Sequence, residues 1–204
     1  MIQTPFWLIK RTRLLNVVHF LGFASAYLQM NLTEKLVLGK YAKGKKIALE
    51  IGTFMGVSAN IIAKEMVDTG KIYCVDPFFK RHQKKNPGLS IAERDLKRNK
   101  LFHKVIFLIG LSTDSKIKDQ VPTNLDFIFV DGDHSYEGLF NDWGIVKKKL
   151  SIGGIVCLHD TIIPLNEQWR KFGSVLFYND IIMCDREFQL IETAHSMTIL
   201  RRLS

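Results

Sequence analysis

Five short clusters in this 204-residue sequence carry polar side chains, two of them with glycine, suited to holding one polar ligand. The first is Glu50-Ile51-Gly52-Thr53-Phe54-Met55-Gly56-Val57-Ser58. The others are Asp76, Gly110-Leu111-Ser112, Asp131 and His159-Asp160. Gly52 and Gly56 permit a tight turn and let a ligand approach the backbone closely; a purely structural turn is the simpler alternative. Asp76 lies 26 residues after Glu50. A carboxylate at that spacing can accept both hydrogen bonds of a ribose diol, the arrangement of many nucleoside-binding α/β folds.

Each cluster closes an apolar run, so strands must position it. Ile47 to Ile51, Ile72 to Val75, Val105 to Ile109, Leu125 to Val130 and Ile155 to Leu158 are predicted strands. Leu125 to Val130 is almost unbroken in its apolar character, as in a strand covered on both faces. Between the first two strands, Ala59, Ile62, Ala63, Met66 and Val67 form one helical stripe, which Gly70 ends. Leu139, Trp143, Val146 and Leu150 align on a second helix, with Lys147 to Lys149 at its C-terminal end, where cations suit the dipole. A further helical stretch is expected around Asn166 to Lys171, and Ser174 to Tyr178 with Met197 to Leu200 form a closing strand pair. Alternating strands and helices imply right-handed crossovers and a doubly wound α/β sheet. Ligands of such sheets sit beyond the C-terminal strand ends. Packing alone does not explain polar groups at five successive ends.

The run Leu49 to Ala59 resembles the first motif of class I S-adenosylmethionine-dependent methyltransferases, particularly the catechol O-methyltransferase-like branch. Asp76 matches that family's ribose-binding acid, and Ser112 its adenine-side serine. Leu125 to Asp131 is similar to the family's fourth strand, which ends on a magnesium-binding aspartate. Gly154-Ile155-Val156-Cys157-Leu158-His159-Asp160-Thr161 is similar to its fifth, where an Asp-Asn pair supplies two more metal ligands. Asp131-Gly132-Asp133-His134-Ser135-Tyr136-Glu137-Gly138, taken with Leu158 to Thr161, resembles a broad group of bacterial relatives still more closely, often encoded with sugar and natural-product pathways. The resemblance covers about Thr33 to Arg201. It implies a mostly parallel, seven-stranded, Rossmann-like sheet over residues 33–204, with residues 1–32 as a helical extension. It also implies S-adenosyl-L-methionine as cofactor, S-adenosyl-L-homocysteine as its product, and Glu50, Gly52, Thr53, Gly56, Ser58, Asp76, Ser112 and Asp131 as cofactor-binding residues. Two departures matter. Thr161 stands where the family has asparagine, and His134 where the catechol enzymes carry a lysine base.

Methyl transfer from a sulfonium is an in-line displacement, so the acceptor oxygen must be held behind the methyl carbon and lose its proton. Mg²⁺ or Ca²⁺ on Asp131 and Asp160, with His159 or Asp133 completing its shell through water, would position and acidify that hydroxyl; Asp131 as a cofactor-side residue without metal is the alternative. His134 is the candidate base, since imidazole titrates near working pH, and Asp160 shares the catalytic site with it. Asp133 can equally satisfy amides at the start of the following helix. Tyr136 and Trp143 read as lid or core aromatics. His19, His82, His103 and His195 lack motif context.

Composition narrows the remaining choices. Hydrophobic residues at 47% and charged residues at 24% describe an ordinary globular chain. The three cysteines, Cys74, Cys157 and Cys184, are too scattered for a disulfide framework or a zinc cluster and suit a reducing cytoplasm. Leu14, Val17, Val18 and Leu21 mark an amphipathic N-terminal helix able to touch a membrane surface. Asn16 and His19 interrupt the apolar stretch, so a signal peptide ending at Ala24-Ser25-Ala26 is the lesser reading and no span is expected.

The net charge is +9, and Pro77 to Lys104 holds nine Lys or Arg against two acidic residues. Lys80, Arg81, Lys84 and Lys85, with a turn at Pro87-Gly88, could form a flap that chooses an anionic or sugar-linked hydroxylated acceptor; a solvated helix from Ser90 to Lys100 is the alternative. A nicotinamide oxidoreductase is disfavoured because Glu50 occupies the first glycine of its fingerprint. An RNA-binding methyltransferase or non-catalytic nucleic-acid module lacks aromatic-interleaved motifs. A metal-dependent hydrolase on the Asp/His cluster is the other rival, and a homodimer is allowed.

Overall fold

The computed structural model describes residues 30–78, 87–167 and 172–204. Seven strands form one sheet: β1 (Ile47–Ile51), β2 (Lys71–Asp76), β3 (Val105–Ile109), β4 (Leu125–Val130), β5 (Leu150–Leu158), β6 (Phe188–Ala194) and β7 (Met197–Arg202). Their order is β3-β2-β1-β4-β5-β7-β6. The first five run parallel, and β7 is antiparallel to both β5 and β6. The expected seven-stranded, mostly parallel, Rossmann-like sheet is present.

Side-chain alternation divides the core in two. Leu49, Ile51, Val75, Ile128, Val130, Val156 and Leu158 face α4 (Ser115–Gln120), α5 (Tyr136–Lys149) and α6 (Gly173–Asp180). Ala48, Ile72, Cys74, Phe127, Phe129, Cys157 and Ile199 face α1 (Leu32–Ala42), α2 (Val57–Glu65) and α3 (Pro87–Arg98). Cys74 and Cys157 are buried free thiols filling core volume, as small hydrophobes do. α1 begins with a capping box: the Asn31 side chain accepts from the Glu34 amide, and the Glu34 carboxylate accepts from the Asn31 amide.

β1, β3 and β4 begin and end where the sequence predicts, while β2 and β5 run longer. The expected closing pair needs correction. Ser174 to Tyr178 is helical, within α6, because Phe177 packs edge-on against Tyr136 and Phe140 of α5, with ring centroids 5.1 and 6.0 Å away. The partner of Met197 to Leu200 is instead β6, whose alternation is broken by a register shift between Leu190 and Glu192.

The helix expected around Asn166 to Lys171 reduces to a 3₁₀ turn, Leu165–Glu167, its remainder lying outside the described residues. Pro87 and Gly88 open α3 rather than forming a turn, which fits proline's suitability for a first helical position. The N-terminal helix expected around Leu14 to Leu21, and Lys80, Arg81, Lys84, Lys85, His19 and His82, also lie outside the described residues. Within them, no helix is long and apolar enough to cross a membrane.

Candidate active site

Backbone hydrogen bonds continue the sheet past its strands and align the five sequence clusters along one edge. Gly110 donates to the Asp76 carbonyl (3.2 Å), Gly52 to Val75 (2.9 Å), Asp131 to Ile51 (2.8 Å) and His159 to Val130 (2.9 Å). The edge crosses the β1/β4 boundary, where the strand order reverses and α/β sheets place their ligands.

At the end of β1, Glu50 is fully buried and neither of its carboxylate oxygens has a hydrogen-bond partner. The Thr53 and Ser58 hydroxyls beside it are likewise buried and unbonded. Burial pushes the Glu50 carboxyl up to about 7; Ser58, Thr53 and Cys74 temper that rise without being aligned to cancel it. Gly56, at φ +76°, leads into α2, whose first turn has no side-chain cap. The two glycines prove to be packing requirements. A Cβ on Gly52 would sit 2.0 Å from the Asp131 carbonyl oxygen, and one on Gly56 would sit 2.7 Å from the Cβ of Ala92 in α3.

Asp76 braces this turn. Its Oδ2 accepts from the amides of Thr53 (2.9 Å) and Phe54 (2.8 Å), and its Oδ1 from Phe78 (2.6 Å). The Ser112 hydroxyl donates to Asp142 of α5 at 2.6 Å, and burial pushes the Asp142 carboxyl up to about 6. Asp142 joins the candidate site through this contact, which the sequence does not disclose because Asp142 lies among apolar helix positions.

Beyond β4 and β5, two imidazoles stand between two aspartates. His159 Nδ1 is 2.9 Å from Asp131 Oδ1 and 3.7 Å from Asp160 Oδ1. His134 Nε2 is 3.9 Å from Asp131 Oδ1, and its Nδ1 is 3.9 Å from Asp160 Oδ2. His159 is buried, whereas the His134 side chain is about a third exposed and lies against Phe172, centroids 5.3 Å apart.

On its far side, His159 Nε2 is 3.5 Å from Glu34 Oε1. That oxygen also accepts from the Ser196 hydroxyl (2.7 Å) and amide (3.0 Å), and lies 3.4 Å from His195 Nδ1. Burial alone would lower the His159 pKa; Asp131 and Glu34 together outweigh it and hold the imidazole at about 10. Glu34 is held at about 2, because the His159, Ser196 and Asn31 contacts outweigh its burial. Glu34 and Ser196 were not among the predicted site residues. The capping spacing Asn31-x-x-Glu34 could have marked the start of α1, but not the contact across the sheet.

Asp133 accepts from the Ser135 amide and hydroxyl (both 3.0 Å), and Ser135 caps α5 through the Gly138 amide; this is the helix-start role. Trp143 is buried in the core, and Tyr136 packs on α6.

The donor set does not fit the expected metal. The Thr161 hydroxyl, in the third-ligand position, donates to the Leu158 carbonyl (3.1 Å) and lies 2.6 Å from the Thr198 hydroxyl. The His159 ring, expected as a ligand, lies between Glu34 and Asp131, and its Nδ1 is buried without a hydrogen-bond partner. Among the described residues, no group of three or more His, Cys, Asp or Glu side chains is arranged to share an ion.

A family described as a methyltransferase domain matches residues 49–161, which carry every cluster above. An uncharacterized protein of Acanthamoeba polyphaga mimivirus is 26% identical over 137 residues, covering 66% of this chain but 59% of its own length. The chain therefore spans under two thirds of that relative. Among solved structures, the O-methyltransferase of Bacillus cereus in complex with S-adenosylhomocysteine superposes with a TM-score of 0.68 at 18% identity, covering 100% of this chain and 94% of that one. The O-methyltransferase TomG of Streptomyces achromogenes, involved in tomaymycin synthesis and solved with S-adenosylmethionine, gives 0.67 at 16%, covering 100% and 92%. At these identities the likeness is one of fold.

Proposed function

We propose, since this chain belongs to the methyltransferase-domain family, that it transfers a methyl group from S-adenosylmethionine to a hydroxyl of a small molecule or sugar. The observation that carries this reading is the buried group of Glu50, Thr53 and Ser58 at the switch point, whose polar atoms lack partners. Buried polar groups are ordinarily satisfied, and a zwitterionic amino-acid moiety would satisfy these. That the two structurally similar O-methyltransferases hold S-adenosylmethionine and S-adenosylhomocysteine supports the same cofactor here.

Each element then has a task. The uncapped N-terminus of α2 suits the cofactor's carboxylate through its free amides and dipole, and Glu50 suits its ammonium. Asp76, already holding the turn through three amides, keeps carboxylate lone pairs for a ribose hydroxyl. Ser112, fixed by Asp142, faces the adenine side. When bound, the cofactor supplies a methyl group on a sulfonium. His134, the more exposed of the two imidazoles, takes the acceptor's proton, and Asp131 and Asp160 at 3.9 Å stabilise the resulting imidazolium.

The finer assignments belong to the same proposal: residues 33–204 as the catalytic unit, a cytoplasmic setting supported by buried free thiols, and an anionic or sugar-linked acceptor. Isothermal titration with S-adenosylhomocysteine tests the central reading. Stoichiometric binding that Asp76→Ala weakens is expected. A wild-type protein giving no heat at millimolar ligand would overturn it.

A further inference from the structure

A second concentration of charge lies at the end of the sheet opposite the candidate active site. β1, β4 and β5 enter the sheet there and β7 leaves it, with Arg201 standing across from Ile155. A cavity of about 460 Å³ opens between this end of the sheet and the last turn of α1. Lys40, Lys43, Lys45 and Arg201 line it, and no carboxylate is among its lining residues. Gly153, at φ +77° with nothing within 4 Å of where a Cβ would stand, leaves open space on one side.

These cations differ in how they are compensated. The Lys40 ammonium and the Tyr41 hydroxyl both meet the Glu192 carboxylate. Among the described residues, no carboxylate pairs with Lys43, Lys45 or Arg201. Arg202, one position on and pointing to the other face of the sheet, is by contrast fully engaged: it donates to the carbonyls of Lys147 and Leu150 and lies 3.5 Å from Glu187. The negative end of the α1 dipole accounts for Lys40 and Lys43. It does not account for Lys45, past the turn, or for Arg201, which reaches the cavity from β7. Like charges gathered without partners repel one another, and an anion between them removes that repulsion.

We propose that this cavity is a second binding site, for a small molecule bearing two or more phosphate groups, held by Lys43, Lys45 and Arg201. The guanidinium suits two oxygens of one phosphate, and the lysines act as point charges on the next. The volume falls within the roughly 300–1,000 Å³ usual for small-molecule sites. A nucleic-acid strand fits less well. The cations converge on one concavity from separate segments, and the Lys40 ammonium lies over the Tyr41 ring, 4.9 Å from its centroid, where a base would stack. The cavity is at the far edge of the sheet from Glu50, Asp76 and Asp131, so its ligand is not the methyl acceptor, and the proposal does not depend on the methyltransferase reading.

Isothermal titration of the full chain with inorganic pyrophosphate, in metal-free buffer, tests this. One equivalent is expected to bind, more weakly as salt rises. The triple variant Lys43→Gln, Lys45→Gln, Arg201→Gln should lose at least about tenfold in affinity, since each cation makes a charge-assisted contact. S-adenosylhomocysteine binding, whose failure would strike the methyltransferase reading alone, should be the same in this variant as in wild type. A control triple, Lys64→Gln, Lys116→Gln, Lys148→Gln, removes the same charge from exposed positions elsewhere and should bind pyrophosphate as wild type does. Should the first triple not fold, Arg201→Gln alone decides, at an exposed position where a loss of about tenfold is expected. No heat at millimolar pyrophosphate overturns the proposal, as does an equal loss in the two triple variants, which would reduce the effect to net charge. A single-stranded oligonucleotide that binds through these residues, with no binding of pyrophosphate, would make this face a nucleic-acid surface and overturn it as well.

Discussion

Burial of Glu50 favours its protonated form, which an ammonium ligand would oppose. Its carboxyl sits at about 7 against an ordinary 4.5, with burial as the leading cause. An ammonium binds the ionised form, so affinity for S-adenosylhomocysteine should fall as pH drops below about 7 and level off above it. Glu50→Gln should flatten that profile and cost about 1.5–3 kcal/mol of binding, the scale of a hydrogen bond to a charged group. Stability moves the other way. An acid whose folded pKa is raised destabilises the fold as pH climbs from 4.5 through 7. The ligand-free Gln variant should therefore melt higher than wild type above pH 7. Calorimetric titration and thermal melts at several pH values check both signs.

The Glu34–His159 pair has the opposite linkage. Glu34, lowered from 4.5 to about 2, contributes stability present above 4.5 and lost as pH falls toward 2. His159, raised from 6.5 to about 10, contributes stability that is full below 6.5 and lost as pH rises through 10. Glu34→Gln should lower the melting temperature most between pH 4.5 and 6.5, with the deficit shrinking on either side. A deficit independent of pH would mean that packing, not charge, is what Glu34 provides.

At the scale of elements, the approach of α2 to α3 hinges on Gly56. Alanine there combines a left-handed φ of +76° with a Cβ 2.7 Å from that of Ala92. Overpacking of this kind costs about 1–3 kcal/mol, and the backbone conformation adds about 1–2 kcal/mol. Gly144→Ala, in the middle of α5 with nothing within 4 Å of the new Cβ, is the matching control. It should be neutral or stabilising by roughly 0.5–1 kcal/mol, and denaturant melts of the two variants read the contrast.

Elements were legible in the sequence wherever burial set a clear period. β1, β3 and β4 are apolar runs closed by polar residues, and their limits follow directly. β6 was not legible, because a bulge breaks its alternation and Gln189 and Glu192 give it a polar cast. Ser174-Val175-Leu176-Phe177-Tyr178 has the composition of a strand, and only packing against α5 makes it helical. The residues proposed for the cofactor stand out in the sequence because they follow their strands directly. Their supports do not: Glu34 and Asp142 act through contacts between elements that no local spacing encodes.

For the whole molecule, the charge of +9 is less of a surface than it first appears. Lys97 pairs with Glu93, while Arg94 and Arg98 flank Asp95. Lys104 is buried and donates to the carbonyls of Ala63 and Met66 at the end of α2. The described part of the basic segment thus resembles the solvated helix. An acceptor-selecting charge would have to come from Lys80, Arg81, Lys84 and Lys85. Replacing these four with glutamine should slow turnover of anionic acceptors, in a panel of neutral and anionic hydroxylated compounds, while sparing neutral ones. Equal rates across the panel would leave them no part in choosing substrate.

The clamp on His159 joins Glu34 to Ser196 across 162 positions of sequence. During synthesis, a chain emerging from the ribosome exposes the whole cofactor-facing edge, Glu50 through Asp160, before the hairpin that carries Ser196 exists. Such a nascent chain has its glycine turn and both aspartates but not the full set of hydrogen bonds holding the buried imidazole. The clamp on His159 therefore closes only after the rest of this edge has been made.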